Sequence, residues 1–452
     1  MSWIDTRVRT HPLCAALAAV LASAPFPAAT LASPRPTIVL VANCNDSGPG
    51  SLREAAMSAS DGDTIDLSQL GCSRISLTTG SIPIAIDSLT LIGPGRDALT
   101  IDGAYNSNQN LVFHLGHGTL SFSQLALTRG SKYRENLPAL GGCVYSLGAV
   151  SLDDTAITDC TAHSTGEGNV ARGGAIYATG DVTMIDSVVS GATALNTDEE
   201  ARGGGIYTYG SLIAKYSTIA DNYAMNLGNG SLAGGAFVNK QALVVNSTIS
   251  GNRAWQVGAM FAGRGADYPV EIDNSTITDN IGVHGSWGGV FASAPTKIQN
   301  STIAFNHTGT VNGPRGAGLH VASTSLDIES SIIANNTNEY DATSPYQLVL
   351  YSTIGSTLLG TNNLIVSANV ALTPGTLTAD PRLGPLRNNG GPTRTRMPMT
   401  GSPVIDAGNN VQGTNVDQRG GGYPRVIGAA PDIGALEFSS DDDIFWSGFE
   451  PR

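Results

Sequence analysis

The stretch Gly204-Gly205-Ile206-Tyr207, followed by Ser217-Thr218-Ile219-Ala220-Asp221-Asn222, is one copy of a unit that repeats through the middle of the chain. The apolar anchor of its second half recurs every 26 to 32 residues, at Ile157, Val189, Ile219, Ile249, Ile277, Ile303 and Ile333. A repeat of this length, built from short β-prone runs and Gly/Asn turns, is typical of a stacked solenoid.

Apolar residues alternate with a period of two within each unit, which predicts strands rather than helices. We assign a first inward position to Val144, Ile176, Ile206, Phe237, Met260, Val290 and Leu319. The anchors around Ile219 form a second inward position. One unit per coil predicts an all-β fold, a right-handed parallel β-helix whose hand follows the usual crossover rule.

Polar residues also recur at fixed places in the unit. A hydroxyl stands two residues before each anchor, and this set predicts an interior hydroxyl ladder: Thr155, Ser187, Ser217, Ser247, Ser275, Ser301 and Ser331. An asparagine follows the anchor by three residues at Asn222, Asn252, Asn280, Asn306 and Asn336. We expect these asparagines to adopt the left-handed conformation at a corner and to bond from coil to coil.

The first 32 residues have the plan of a secretory signal peptide, with Arg7 and Arg9 before a short apolar run and a small-residue cleavage site at Ala32. The apolar run is too short to span a bilayer. We therefore expect an exported chain with no transmembrane segment. The net charge of −13 argues against nucleic acid as a partner.

Four cysteines follow the predicted signal peptide: Cys44, Cys72, Cys143 and Cys160. An exported chain can oxidise them, and four cysteines allow three connectivities. We favour the two sequence-local pairs, Cys44 with Cys72 and Cys143 with Cys160. A zinc site is the weaker interpretation because Cys-x-x-Cys and paired-His spacings are missing. No metal or cofactor is predicted.

Both ends of the repeat carry covering segments. Ser51-Leu52-Arg53-Glu54 is a capping box that opens a short helix from Leu52 to Ala59, and after Asp380 a Gly/Pro/Arg-rich segment is expected to close the other end. The predicted domains are a signal peptide (1–32), an N-terminal cap (33–74), the β-helix (75–379), a C-terminal capping or anchor-type domain (380–438) and a tail (439–452) that is a candidate sorting signal.

Several segments resemble modules of bacterial surface proteins. The run 45–55 is similar to an N-terminal module whose signature reads CSLREA, with Gly50 in place of the usual Cys. The repeats resemble those of polymorphic outer-membrane proteins. Asn389-Gly390-Gly391-Pro392-Thr393, Asp417-Gln418-Arg419-Gly420 and Asp432-Ile433-Gly434-Ala435-Leu436-Glu437 resemble the choice-of-anchor domain. The resemblance implies a protein that is secreted or held on the bacterial outer surface, and it implies no reaction.

The residue after each first inward position must point outward, and it is usually aromatic. The candidate binding residues are Tyr145, Tyr177, Tyr207, Phe261 and Phe291, with Val238 and His320 in the same column. Exposed rings at coil spacing would stack on the sugar rings of an extended glycan. The interpretation that we favour is structural, a self-stacking ladder covered by the loops between units.

Outward charges offer an enzymatic alternative. Glu271, Lys297 and Asp327 align in one outward column, and Asp273, Gln299 and Glu329 align in the next. β-Helix polysaccharide lyases hold Ca²⁺ on outward carboxylates beside a Lys or Arg base. The alternation of acid, base and acid equally predicts a surface ion-pair ladder, which we favour.

A second enzymatic signal is weaker. Gly116-His117-Gly118 and Asp153-Asp154 have the composition of polygalacturonase motifs, but their order is reversed and two further elements of that family are missing.

We therefore predict an exported, non-catalytic surface or secreted protein, adhesin-like or glycan-binding, whose partners are extracellular polysaccharides or host and cell-surface glycans. The alternative is a polysaccharide lyase or glycoside hydrolase of the pectin-lyase-like β-helix type. A purely structural surface fibre is the third possibility.

Overall fold

A computed structural model describes residues 36–105, 111–226, 230–284, 287–309, 316–338, 346–351 and 355–439. The predicted signal peptide and residues 440–452 of the predicted tail lie outside these ranges. The described chain is a parallel β-helix with about ten coils, whose strands pair in parallel from coil to coil. The prediction of the fold class is confirmed.

The largest sheet, which we call the long sheet, runs the length of the stack as two adjacent strips. Its first strip comprises Ile38–Leu40, Thr64–Asp66, Leu89–Ile92, Val182–Ile185, Leu212–Lys215, Ala242–Val245, Val270–Asp273, Thr296–Gln299, Ser325–Glu329 and Thr357–Leu359. Its second strip comprises Arg74–Ser76, Thr100–Asp102, Val188–Ser190, Thr218–Ala220, Thr248–Ser250, Thr276–Thr278, Thr302–Ala304, Ile332–Ala334 and Leu364–Ile365. Two longer strands, Thr119–Thr128 and Ala149–Thr158, cross both strips.

Two further sheets complete each coil. The ladder sheet comprises Ile82–Ile84, Val112–His114, Val144–Ser146, Ile176–Ala178, Ile206–Thr208, Ala236–Val238, Met260–Ala262, Val290–Ala292, Leu319–Val321 and Leu348–Leu350. The third sheet comprises Ser131–Glu135, Thr161–Thr165, Thr193–Asn196, Tyr223–Asn226, Arg253–Ala254, Ile281–Gly282, His307–Thr308 and Thr337–Asn338. A small cover sheet, Ala139–Leu140, Ala171–Arg172 and Ala201–Arg202, lies between them in sequence.

The interior is built from apolar columns that continue from coil to coil. Ile157, Val189, Ile219 and their successors pair in register and are fully buried, as predicted. The first inward column is also confirmed except at one coil, where Ala236 and not Phe237 pairs with Ile206 and Met260. Because a slip of one residue reverses the facing of every side chain in a strand, Phe237 points outward there.

The hydroxyl ladder is confirmed. The backbone N–H of Ser217 donates to Ser247 Oγ at 3.0 Å, and the N–H of Ser247 donates to Ser275 Oγ at 3.1 Å. Each hydroxyl in turn donates to the carbonyl two residues earlier, as Ser217 does to Lys215 at 2.8 Å. No buried polar atom of this ladder is therefore left without a partner.

The asparagines also stack, but the predicted conformation at their corner is wrong. Asn252 Nδ2 donates to Asn280 Oδ1 at 2.9 Å, and the same bond recurs between Asn280 and Asn306. The left-handed residue is the one before each asparagine, as at Asp221 and Asp279. The outward residue absorbs the turn because the asparagine must point inward to reach its neighbours in the stack.

The N-terminal cap forms as predicted. Helix Leu52–Ser58 begins at Ser51, whose hydroxyl accepts from the N–H of Glu54, and Leu52 is fully buried in the core. Arg53 donates to the carbonyls of Gly80 and Ser81 and to Asp46 Oδ1. These bonds tie the helix to the first coils.

The structure joins the two predicted cysteine pairs. Cys44 and Cys72 link the N-terminal cap to the first coils, and Cys143 and Cys160 link the ladder sheet to the edge of the third sheet within one coil. Cross-links of this kind restrict the unfolded chain more than the folded one.

The C-terminal segment 380–439 packs along one flank of the stack. It begins with an antiparallel hairpin, Leu383–Arg387 and Thr395–Pro398. Its apolar residues Leu383, Val404 and Ile433 pack on outward side chains of the second strip, which in the last coils are Ala304, Ile332, Ala334 and Leu364. We had expected this segment to close the open end. It covers the flank because the outward positions there are apolar, and Ala368, Val370 and Leu372 pack against the core after the last strands.

Buried charges hold the C-terminal segment together. These residues are each at most 2% exposed: Asp417, Arg419, Arg425, Asp432 and Glu437. Arg419 Nη2 lies 2.7 Å from Asp417 Oδ2, and the same oxygen accepts from the N–H of Glu437 at 3.0 Å. Burial raises the pKa of Glu437 to about 8. The motifs that resemble the choice-of-anchor domain therefore have a structural role in this chain.

Candidate binding faces

The outward aromatic residues of the ladder sheet form one continuous column. Neighbouring rings are nearly parallel, and their centroids lie 4.7 to 5.6 Å apart along the series Phe113, Tyr145, Tyr177, Tyr207, Phe237, Phe261, Phe291 and His320. The column contains Phe237 in place of the predicted Val238, because the inward position of that coil is Ala236. It also includes Phe113, one coil earlier than the sequence indicated.

The middle of the column, from Tyr177 to Phe237, is covered, whereas Phe113 and Tyr145 before it are half-buried. Tyr207 and Phe237 are each 1% exposed, and Tyr177 is 7% exposed. The guanidinium of Arg172 lies 5.1 Å from the centroid of the Tyr207 ring, and that of Arg202 lies 5.1 Å from the centroid of Phe237. Both arginines belong to the cover sheet. Desolvation raises the pKa of the Tyr207 hydroxyl, as expected for a phenol removed from water.

The second part of the column is open. Phe261, Phe291 and His320 are only half-buried, and in the described part of the chain the cover sheet continues beside them only as isolated bridges, such as that between Val257 and Trp287. Trp287 flanks this part, with its ring centroid 4.4 Å from that of Phe291. Trp255 packs beside His284 one coil earlier. We call Phe261, Phe291, His320, Trp255 and Trp287 the open aromatic face.

The charge columns predicted from the sequence exist in the predicted register. Glu271 pairs with Lys297 and Lys297 with Asp327, while Asp273, Gln299 and Glu329 form the next column. Desolvation raises the pKa of Asp273 to about 6, against the opposing effect of Lys297. Within the described ranges, no group of three His, Cys, Asp or Glu residues is arranged to hold a metal ion.

The possible glycosidase motifs do not meet. Gly118 directly precedes strand Thr119–Thr128, and Asp153 pairs with Ser123, five residues further along that strand. Because a strand rises about 3.3 Å per residue, roughly 15 Å separates the two motifs. Asp154 instead forms an ion pair with Arg96, in which Asp154 Oδ1 lies 3.3 Å from Arg96 Nε.

A groove that the sequence did not indicate lies where the C-terminal segment begins to cover the long sheet. Its volume is about 450 Å³. The second strip contributes Ser190, Thr218 and Ser250, and the C-terminal segment contributes Leu386, Pro392 and Arg394. We call it the junction groove. Alternating Ser and Thr at outward positions was the available signal, but it becomes meaningful only once the covering segment has been placed.

Comparisons with known proteins add little to this picture. No family model matches the sequence, and no curated protein matches it. Among solved structures, a crystal structure of pectate lyase Pel9A is similar with a TM-score of 0.41 and 13% identity, over 89% of this chain and 96% of that chain. The fold assignment rests on the strand pairing of this chain itself. In the described residues, no helix is both long and apolar enough to cross a membrane.

Proposed function

We propose that this chain is an exported, non-catalytic β-helix protein that binds extended polysaccharide along the open aromatic face. The observation that carries the proposal is the change in cover along a single column. Its rings remain stacked, with centroids 5.1 and 5.0 Å apart from Phe261 through Phe291 to His320, but they lose the cover that buries Tyr207 and Phe237. Aromatic side chains left partly exposed in a row are typical of interaction surfaces.

The geometry suits a linear ligand. Because the rings stack on one another, they present a row of apolar edges at the coil spacing, and the indole ring of Trp287 extends this surface sideways. A polysaccharide lying along the stack would contact several coils at once, so that weak contacts add up. Of the other predicted binding residues, Tyr145 is half-buried and Tyr177 and Tyr207 are buried, and all three act through the ladder, which they help to hold in register. The place of action that we propose is the cell surface or the medium.

Affinity electrophoresis of the protein through gels that contain neutral and acidic polysaccharides tests this proposal. We expect retardation by at least one polymer, and we expect Phe291→Ala to weaken the apparent affinity about tenfold. Tyr105→Ala removes an exposed ring in the turn after strand Thr100–Asp102, several coils before the open aromatic face, and serves as the matched control. Retardation that is unchanged in Phe291→Ala, or equally reduced in Tyr105→Ala, would refute the assignment of the site.

A second candidate, a polysaccharide lyase, is favoured by one observation, the raised pKa of Asp273 in the column beside Lys297. A carboxyl with such a pKa next to a cationic residue has the properties of an acid–base pair. Unsaturated products formed from uronate polymers, with and without Ca²⁺, would support it if they disappear in Lys297→Ala. Turnover without that loss would place catalysis elsewhere in the molecule.

A further inference from the structure

The junction groove is separate from the open aromatic face. Its base is the second strip of the long sheet, whereas the aromatic column belongs to the ladder sheet. The base presents Val188 and Ala220 between the hydroxyls of Ser190, Thr218 and Ser250, and the opposite wall is the hairpin region with Pro392 and Arg394. The groove thus combines an apolar surface with polar groups around it, as small-ligand sites commonly do.

The polar groups that line the groove have no intramolecular partners. Among the described residues, the hydroxyls of Ser190, Thr218 and Ser250, the carboxylate of Asp221 and the guanidinium of Arg394 make no hydrogen bond or ion pair. The neighbouring charges differ from these. Arg396 Nη2 donates to both carboxylate oxygens of Asp279, at 2.6 and 2.8 Å. Arg394 therefore makes no direct ion pair in the described part of the chain, although Asp221 and Asp279 line the same groove.

A glycine in the next coil leaves room for the carboxylate of Asp221. Gly251, the next residue along this corner of the stack, has a φ of +66°, and a Cβ atom there would lie 2.1 Å from Asp221 Oδ1. Only glycine fits both the left-handed conformation and the close approach. The carboxylate thus lies against Gly251, and Asp221 lines the groove, where it can accept hydrogen bonds from a ligand.

We propose that the junction groove binds one anionic sugar unit, a saccharide that carries a carboxylate or a sulfate group. Arg394 matches either anion with its planar pair of donors. Asp221 accepts from the hydroxyls of the sugar, and the serine and threonine hydroxyls donate or accept around the ring. Val188, Leu386 and Pro392 contact its apolar face. The chain has a net charge of −13, so selection of an anion depends on Arg394 and not on the overall field.

Isothermal titration with three probes tests this proposal: a uronic acid trisaccharide, a sulfated galactose trisaccharide and neutral galactotriose. We expect binding of at least one anionic probe and none of the neutral one. Arg394→Ala should weaken that binding at least tenfold, and Asp221→Asn should weaken it less. Arg264→Ala removes the same charge from an exposed turn outside the groove and should leave binding unchanged. Which anionic probe binds more tightly identifies the anion as carboxylate or sulfate.

The proposal is overturned if neither anionic probe binds, or if Arg394→Ala binds like the unaltered protein. A loss shared with Arg264→Ala would mean non-specific attraction and would overturn it too. Thermal melting of each variant checks folding, and Ser190→Leu, which fills the groove without changing charge, should abolish binding independently. Phe291→Ala separates this site from the aromatic face: it should reduce retention by polysaccharide gels while leaving trisaccharide binding intact.

Discussion

The two halves of the β-helix are covered on opposite faces. From Tyr177 to Phe237, the cover sheet and its arginines bury the aromatic column, while outward residues of the second strip such as Thr158, Ser190 and Thr218 remain half-buried. From the next coils onward the aromatic column is open, and the outward residues of the second strip are buried under the C-terminal segment: Thr248, Ser250, Thr276, Thr278, Thr302, Ala304, Ile332 and Ala334.

The repeat itself does not explain why a different face is covered in each half. Equivalent positions of successive coils are covered in one half and open in the other. The residues between the repeats and the segment after them decide which outward side chains are buried. Both candidate binding sites lie where cover stops: the open aromatic face follows the last strand of the cover sheet, and the junction groove borders the first coils under the C-terminal segment. Both proposed sites therefore depend on where the covering segments end.

Truncating one ring in each half gives the largest expected difference. Phe237 is fully covered, so Phe237→Ala leaves a cavity between the ladder and the cover sheet and should cost about 3 kcal/mol of unfolding free energy. Phe291 is half-buried, and Phe291→Ala should cost about 1 kcal/mol because less apolar surface returns to water. Urea unfolding of both variants measures the two losses. Equal losses would show that the open half is covered in solution.

A substitution at Gln418, within the C-terminal segment, should lower the free energy of unfolding by a smaller amount than Phe237→Ala does. Gln418 Nε2 donates to the Ser247 carbonyl and the Thr248 hydroxyl, and its Oε1 accepts from Thr276 at 2.5 Å. Gln418→Ala leaves these groups buried without partners and should cost about 2 kcal/mol. Limited proteolysis should then cleave the segment before the coils. Gln69→Ala, at an exposed glutamine in the N-terminal part, is the control, and similar protease sensitivity in both would contradict a specific role for Gln418.

Most of the coil could be predicted from the sequence because its constraints are local and repeated. The anchors around Ile219 and the hydroxyls around Ser217 recur at positions that a strand period of two places inside. The slip at Phe237 shows where this reasoning fails. Gly235-Ala236-Phe237-Val238 matches the pattern in two registers, and only the pairing of Ala236 with Ile206 and Met260 decides between them.

Which faces of the β-helix are covered could not be predicted in the same way, since this depends on contacts between residues far apart in sequence. Asn246 begins an Asn-Ser-Thr triplet, yet its side chain donates to the carbonyl of Asp417, at 2.9 Å. Arg394 has no neighbour in sequence that indicates a groove. Such contacts between the repeat and the segment after it follow no period, and so the pattern of the repeat holds no information about them.

A further expected effect concerns how pH acts on the stability of the C-terminal segment that covers the second half. Burial raises the pKa of Glu437 from an ordinary 4.5 to about 8, in the presence of Arg425, Asp432 and Asp417. Between these two values the folded protein retains a proton that the unfolded chain releases, so unfolding becomes easier as the pH rises. The contribution of Glu437 to stability is complete below pH 4.5 and is lost by about pH 8. Asp273, with a pKa of about 6 under the same segment, adds to this trend at lower pH.

Glu437→Gln keeps the shape of the neutral carboxyl and cannot ionise, so its unfolding free energy should vary less between pH 5 and pH 8. We expect the unfolding free energy of the variant to exceed that of the unaltered protein at pH 8 by up to roughly 4 kcal/mol. Hydrogen exchange of residues 380–439 at both pH values localises the effect. The same change at Glu167, an exposed residue of the first half, should leave the pH dependence as it was. A slope that persists in Glu437→Gln would assign the titration to Asp273 or Asp432, and the comparison between the halves would then depend on those carboxyls.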